Sequence, residues 1–277
     1  MTVLLGLAAA ILYGVGDFAG GIGARRVGAV TTLLWSYPVG AVLMAALLPA
    51  FGGQFTVRAG VFGILGGCAG LLGVIVLYSL MAIAPINIVS PVSAVLAAIV
   101  PLAVGVGIGE RPGISAWFGI LLGFVAVVLV SRTTEEHPHG RVAPRIILLA
   151  VLAGVGFGLY FVCLDRAGSG TGIWPLLVSR VASAILIVPI AASRSAIRSV
   201  SGRTLAIVLL AGTCDALANF CFLLAARSGL LSLASVLTSL YPATTVLLAM
   251  GLLHEQASKV QRVGLLLAAG SIVLITI

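Results

Sequence analysis

Residues 108–122 read IGERPGISAWFGILL, and residues 253–267 read LHEQASKVQRVGLLL, so the two stretches follow one plan. In each stretch an apolar run ends in a single glutamate, a short polar turn follows, and a second apolar run begins that carries a glycine. Glu110 and Glu255 coincide when the sequence is shifted by 145 positions, and so do the glycines nine positions after them. We interpret this shared plan as an internal duplication.

The chain around these stretches is too apolar for a soluble protein. Of its 277 residues 61% are hydrophobic and 8% are charged, whereas a soluble domain carries roughly 25% charged residues. Its outer surface is therefore expected to face lipid. The net charge of +8 would suggest a nucleic-acid partner in a soluble protein. Here the cations lie between apolar runs, where they indicate topology, so nucleic acid is excluded as a partner.

Apolar runs long enough to cross a bilayer, about 20 residues each, recur along the whole chain. They predict an all-α integral membrane protein of about ten transmembrane helices, at residues 3–23, 29–51, 59–82, 86–107, 114–130, 146–164, 173–192, 205–226, 230–252 and 260–277. No cationic segment precedes the first run, so we expect a retained helix there rather than a cleaved signal peptide.

One polar connector, residues 132–143, divides the predicted helices into two groups of five. We expect residues 1–131 to form one five-helix repeat and residues 144–277 the other. Because five is odd, the second repeat would be inverted relative to the first, a common build of secondary transporters. The turns after the odd-numbered helices carry ten Lys and Arg and the other turns carry four. The positive-inside rule then predicts that both termini are extracytoplasmic.

These features resemble the EamA-type transporters of the drug/metabolite transporter superfamily. The stretch LYGVGDFAGGIGARR at residues 12–26 is similar to the first-helix segment of many members, and Phe157 with Gly158 holds the matching place in the second half. The resemblance covers essentially the whole chain and implies a multi-pass transporter of the cell membrane. Its substrates would come from a broad range: amino acids, other metabolites, nucleotide sugars or toxic compounds. The family often carries an arginine in the second helix of a repeat. Arg180 fits that place, whereas the counterpart in the first half is about Tyr37.

Three ionisable residues lie well inside the predicted helices: Asp17, Arg180 and Asp215. A charge at mid-bilayer costs roughly 2.5–3.5 kcal/mol even on the lenient insertion scale, so these side chains are expected to face a cavity or one another. A polar site with a protonatable carboxylate and a purely structural Asp–Arg pair both fit this pattern. The other substrate-binding or coupling candidates are polar residues that share a helix face with them or adjoin interior prolines: Tyr13, Asn87, Ser90, Asn219, Tyr241 and Thr244.

The remaining polar positions suggest support rather than chemistry. Glu110 and Glu255 end their predicted helices at the membrane interface, where we expect a structural or gating role. Histidines and glutamates of the connector could ligate a metal, but a solvated linker is the simpler interpretation, so no metal and no cofactor are predicted. The phosphate-binding motif GxxxxGK[ST] and the hydrolase motifs GxSxG and HExxH do not occur, which argues against ATP-driven transport and against an enzyme.

The sequence therefore favours a secondary transporter that moves a small metabolite or drug-like solute by alternating access. Proton coupling through Asp17 or Asp215 is one version, and an uncoupled facilitator or exchanger of the same fold is the alternative. A membrane-embedded enzyme and a non-transporting scaffold are the other classes left open. The expected partners are the lipid bilayer and a small-molecule substrate. Protons join them in the coupled version, and a second copy of the chain joins them if a homodimer forms.

Overall fold

The computed structural model describes residues 1–83, 86–131, 144–252 and 258–277. At residues 86–88, 90, 91, 246 and 249–252 it describes the backbone only. Within these ranges the chain forms helices joined by turns and loops, and no strand occurs among the described residues. This agrees with the predicted all-α class. The connector predicted at 132–143 lies outside the described residues.

The helices of the described residues are α1 (Thr2–Val27), α2 (Ala29–Phe51), α3 (Val57–Ile83), α4 (Ile86–Gly107), α5 (Ile114–Val130), α6 (Pro144–Arg166), α7 (Trp174–Ser193), α8 (Gly202–Arg227), α9 (Leu231–Thr238), α10 (Tyr241–Leu252) and α11 (Lys259–Thr276). Seven of these, namely α1, α2, α3, α6, α7, α8 and α11, are long and apolar enough to cross a membrane. Two shorter apolar helices are α5 and the Val92–Gly107 part of α4. The chain is thus a multi-pass membrane protein.

The single helix predicted over residues 230–252 is divided into α9 and α10. At the break the amide of Leu240 donates to the carbonyl of Leu237 at 3.3 Å, a tighter spacing than that of an α-helix. Pro242 has no N–H, so it cannot donate to the carbonyl four positions before it and continue the helical ladder. The prediction of one unbroken helix was wrong at this point.

Close helix crossings hold the middle of the bundle together. A Cβ added to Gly67 of α3 would lie 2.6 Å from the carbonyl oxygen of Ser179 in α7. A Cβ added to Gly212 of α8 would lie 2.3 Å from the carbonyl oxygen of Ser36 in α2. Only glycine permits such an approach, as is typical of helix packing in membranes. Four helices therefore converge near the centre of the protein.

The long helices pack in pairs that leave a central space. The most extensive pairings are α1 along α8, α3 along α6, and α5 along α11. In addition, α2 contacts α7 and α8, and α7 contacts α3. As a result α1 with α8 forms one wall of the centre, and α3 with α6 forms the wall opposite.

Candidate functional site

Two small neighbouring cavities lie at the middle of the bundle. The first measures about 20 Å³ and is bounded by side chains of α1, α2, α3, α6, α7 and α8. The second measures about 30 Å³ and reaches the break between α9 and α10. Four residues line both cavities: Tyr13, Val74, Phe157 and Asp215. One water needs about 10–15 Å³, so each cavity has room for one or two waters, and the centre is closed to a solute in this conformation.

Arg180 is the buried cation of this centre, with 4% of its surface exposed. Its Nη1 donates to the Oδ2 carboxylate oxygen of Asp215, and its Nη2 donates to the backbone carbonyl of the same residue at 3.3 Å. The central carbon of its guanidinium also lies 5.4 Å from the centre of the Tyr37 ring, within the range of a cation–π contact. Asp215 therefore compensates a charge that the bilayer would otherwise make very costly.

Asn219 extends this network from α8 to α1. Its side-chain nitrogen donates to the backbone carbonyl of Asp215 at 2.7 Å and lies 3.3 Å from the Oδ1 of that residue. Its side-chain oxygen accepts a hydrogen bond from the hydroxyl of Tyr13. A continuous polar chain thus runs from Arg180 on α7 to Tyr13 on α1.

Asp17 lies one helical turn beyond Tyr13 and lines the second cavity together with Asp215. Within the part of the chain that the structure describes, no hydrogen bond or ion pair joins Asp17 to another residue. The two carboxylates of the centre are therefore in different situations. Asp215 is held by a cation, whereas Asp17 borders open space without such a partner.

The break between α9 and α10 opens onto the cavity beside Asp17. Thr238, Ser239 and Tyr241 line this side of the cavity. The hydroxyl of Ser239 donates to the carbonyl of Val236 at 2.8 Å, whereas the hydroxyl of Thr238 has no hydrogen-bond partner among the described residues. Discontinuous helices with polar atoms near mid-membrane are a common element of transporter binding sites.

Most of the candidate residues from the sequence come together here. The ones that line the cavities are Tyr13, Asp17, Arg180, Asp215, Asn219 and Tyr241. Thr244 lines neither cavity and packs on Gly14 of α1 instead. A Cβ added to Gly14 would lie 2.6 Å from the Cβ of Thr244. The side chains of Asn87 and Ser90 lie outside the described residues, so their roles stay predictions.

Glu110 lies away from the centre and contacts the start of α9. Its two carboxylate oxygens accept from the backbone amides of Leu231 at 2.7 Å and Ser232 at 3.0 Å. The first amides of a helix have no partner within it, and a negative charge is favourable at that end. Glu110 thus fastens the turn between α4 and α5 to α9, while Glu255 lies outside the described residues.

Several lining residues were not among the sequence candidates. Tyr160, Ser179 and Ser183 border the first cavity together with Tyr37, which was noted only as the counterpart of Arg180. The hydroxyls of Tyr160 and Ser179 are 3.5 Å apart. The predicted duplication contained a signal for some of the lining, because positions with the same spacing between the two halves line the first cavity together. Pairs separated by 144 or 145 positions are Tyr13 with Phe157, Gly70 with Asp215 and Val74 with Asn219.

Each of these pairs has one polar and one apolar member. The polar members, Tyr13, Asp215 and Asn219, belong to α1 and α8. The apolar members belong to α3 and α6, where Tyr160 is the polar exception. The centre therefore has one polar wall, which is continuous with the Arg180 pair, and one largely apolar wall.

Comparisons with known proteins identify a family. A family model described as the EamA-like transporter family matches residues 1–132 and 144–277. A solved crystal structure superposes with a TM-score of 0.83 over 99% of this chain and 96% of that one, at 19% sequence identity. That likeness concerns the fold alone. No curated protein matches the sequence closely enough to count as a relative.

Proposed function

This chain belongs to the EamA-like transporter family of the drug/metabolite transporter superfamily, and we propose that it is a secondary transporter of a small amphipathic metabolite or drug-like solute. The observation that carries the proposal is the closed centre with one polar and one apolar wall. It contains the buried pair of Arg180 and Asp215 and the carboxylate of Asp17, which has no hydrogen-bond or ion-pair partner among the described residues. The match to a transporter family favours this function over a membrane-embedded enzyme or a non-transporting scaffold.

We propose further that the chain crosses the membrane ten times, with α9 and α10 together forming one crossing, in two inverted five-helix repeats. Reciprocal contacts support this architecture. Gly67 of α3 lies against Ser179 of α7, and Gly212, its equivalent in α8, lies against Ser36 of α2, the equivalent of Ser179. A two-fold axis between the halves requires such an exchange of partners. The same exchange joins α5 and α11, where Gly119 faces Ile275 and Gly264 faces Val130.

The domain division follows from the same architecture, with repeats at 1–131 and 144–277 and a linker at 132–143. The two segments that the family model matches support this division. The orientation proposed from the cations of the turns has both termini outside the cytoplasm of a cell membrane.

The closed centre supports alternating access. Cavities of about 20 and 30 Å³ cannot hold a metabolite, so a solute enters only if one group of helices moves against the other. Two hydrogen bonds join Glu110 to the start of α9, and such a movement would break them when that end of the protein opens. We therefore assign Glu110 to the closure of one end of the protein.

The charges of the centre suggest what is coupled. Among the described residues the centre contains Arg180 and two aspartates, so it carries a formal charge of −1 when both carboxylates are ionised. A proton on Asp17 would neutralise this charge, and so would a cationic group of a bound solute. Because one carboxylate would serve both, proton and solute would compete for it. Competition at a shared site yields exchange of a solute for a proton across the membrane.

Flux through the purified protein tests this function. Metabolites are first compared in cells with and without the gene, and the most affected compound is used as solute. Liposomes containing the wild-type protein should accumulate it when a pH gradient is imposed, and empty liposomes should not. Asp165→Asn is the matched control, because that carboxylate lies at the end of α6, beside Arg166 at 3.8 Å and away from the centre.

Two other results are informative. If the wild-type protein transports the compound at the same rate with and without a pH gradient, it is the uncoupled facilitator or exchanger. Absence of flux for every affected compound, by protein that is folded and correctly inserted, would contradict transport altogether.

A further inference from the structure

A third and much larger cavity lies on the outer face of the bundle, between α2 and α8, with a volume of about 960 Å³. Apolar side chains of α2 from Leu34 to Ala46 line it, together with Leu209 of α8. Leu34 and Ala46 are 12 positions apart, which is about 18 Å along the helix at 1.5 Å per residue. One leaflet of a bilayer has a hydrocarbon depth of roughly 15 Å, half of roughly 30 Å. The groove thus has the length of one lipid acyl chain.

The loop between α7 and α8 closes one end of this groove. Ile197, Arg198 and Ser199 line that end. The loop is fastened to α2, because the indole nitrogen of Trp35 donates to the carbonyl of Arg198 at 3.1 Å and the hydroxyl of Thr31 donates to the carbonyl of Ala196 at 2.9 Å. Tryptophan is typical of the level of the lipid headgroups. Arg198 is therefore held at the mouth of the groove, at headgroup level.

The charge at this mouth is uncompensated within the described residues. Arg194, Arg198 and Arg203 are exposed, and none of them forms an ion pair with a described carboxylate. Arginines at the opposite end are used differently: Arg58 donates to the carbonyl of Arg166 at 2.7 Å, and Arg227 donates to loop carbonyls. The mouth of the groove therefore presents guanidinium groups to an external anion.

We propose that the groove binds an anionic phospholipid, with one acyl chain along α2 and α8 and the phosphate on Arg198, flanked by Arg194 and Arg203. Basic pockets between transmembrane helices bind anionic headgroups in this way. A second copy of the chain is a poorer occupant. A two-fold interface through this face, with both copies in one orientation, would bring two clusters of arginines together at the same level.

Binding measured by native mass spectrometry of the detergent-solubilised protein tests the assignment. The probes are a phosphatidylglycerol and a phosphatidylcholine with identical acyl chains. The wild-type protein should bind the anionic lipid about tenfold more tightly, and Arg198→Gln should reduce that preference by about fivefold, the effect of one interfacial cation. Arg111→Gln is the matched control, because Arg111 is exposed in the turn between α4 and α5 at the opposite end. It should leave the preference unchanged.

A second variant separates the acyl chain from the headgroup. Val42 lines the groove and is 70% exposed, so Val42→Trp should fill the groove without disturbing the core. It should weaken binding of both lipids and leave the ratio between them nearly unchanged. An unaltered preference in Arg198→Gln, or an equal loss in Arg111→Gln, would overturn the proposal. Wild-type dimers that contain no bound lipid and that Val42→Trp dissociates would overturn it as well. The groove would then be a contact between two copies of the chain.

Discussion

Asp17 and Asp215 differ in what surrounds them, although both lie near the middle of their helices. Arg180 donates to the carboxylate of Asp215, so the two buried charges compensate each other. Asp17 has no such partner among the described residues. We therefore propose Asp17 as the carboxylate whose proton changes during a transport cycle, whereas Asp215 holds Arg180 in place.

Replacement of Asp17 should remove coupling and weaken binding together. Asp17→Asn removes the exchangeable proton and the negative charge for which proton and solute would compete. We expect normal expression and unfolding temperature, slower solute exchange than in the wild type, and loss of accumulation driven by a pH gradient. Proteoliposome flux with and without the gradient measures this. Gradient-driven accumulation that persists in Asp17→Asn would assign the coupling to another group.

Replacement of either partner of the ion pair should instead act on stability. Arg180→Gln or Asp215→Asn leaves one buried charge without compensation, which typically costs about 3–5 kcal/mol of unfolding free energy. The double variant should cost less than the sum of the two, because it leaves neither charge alone. Thermal unfolding in detergent measures all three. Single variants as stable as Asp165→Asn, the control away from the centre, would mean that the pair does not hold the helices together.

For individual residues, the sequence predicted part of the candidate site. Asp17, Arg180 and Asp215 were evident because charges inside apolar runs are few and costly. Ser179 and Ser183 were not evident, since serines are frequent along these helices and often bond to their own backbone, as Ser179 does to Leu176 at 2.8 Å. Helices that are apolar on nearly every side do not indicate which face turns inward.

Helix positions were predictable where lipid alone decides them. The bounds of α2, α4 and α5 agree with the predicted runs, because each helix coincides with one apolar run of about 20 residues or slightly fewer. The break between α9 and α10 was not predictable from composition, since residues 230–252 carry no charge and stay largely apolar. Proline is not decisive either: α2 continues through Pro38 and α7 through Pro189. Whether proline kinks or ends a helix depends on the neighbours that satisfy the released carbonyl.

The glycine crossings yield a prediction for pairs of helices. Gly67→Ala and Gly212→Ala each place a methyl group against a backbone carbonyl, 2.6 Å and 2.3 Å away respectively. Both should lower the unfolding temperature and the yield of folded protein, and to a similar extent, because the positions are equivalent in the two repeats. Gly107→Ala is the control, since nothing lies within 4 Å of an added Cβ there. A loss in only one of the pair would contradict the equivalence.

For the whole molecule, residues 108–122 and 253–267 predicted a duplication, whereas no stretch of the sequence predicted which helices pack together. Association between helices in lipid depends on shape and small residues rather than on burial of apolar surface. Contacts such as Gly119 with Ile275 therefore leave only a weak trace in the sequence. Orientation in the membrane is different, because the bias of cations between the turns predicts it.

The predicted orientation of the whole chain can be tested at its last residue. Alkaline phosphatase or green fluorescent protein is fused after Ile277 in separate strains. We expect phosphatase activity and no fluorescence, because the ten cations of the odd-numbered turns should remain in the cytoplasm. Fluorescence without phosphatase activity would mean the reverse orientation.

The central claim is that a solute passes through the cavity between the polar and apolar walls, and flux by a variant with that space filled tests it most directly. Val74 lines both central cavities, so Val74→Phe narrows the path without altering a charge. Val188→Phe is the control on α7, because that side chain is 48% exposed and lines neither central cavity. With folding of both variants verified by thermal unfolding, we expect Val188→Phe to transport at the wild-type rate and Val74→Phe to fall to the rate of empty liposomes. Wild-type flux through folded Val74→Phe would contradict the account.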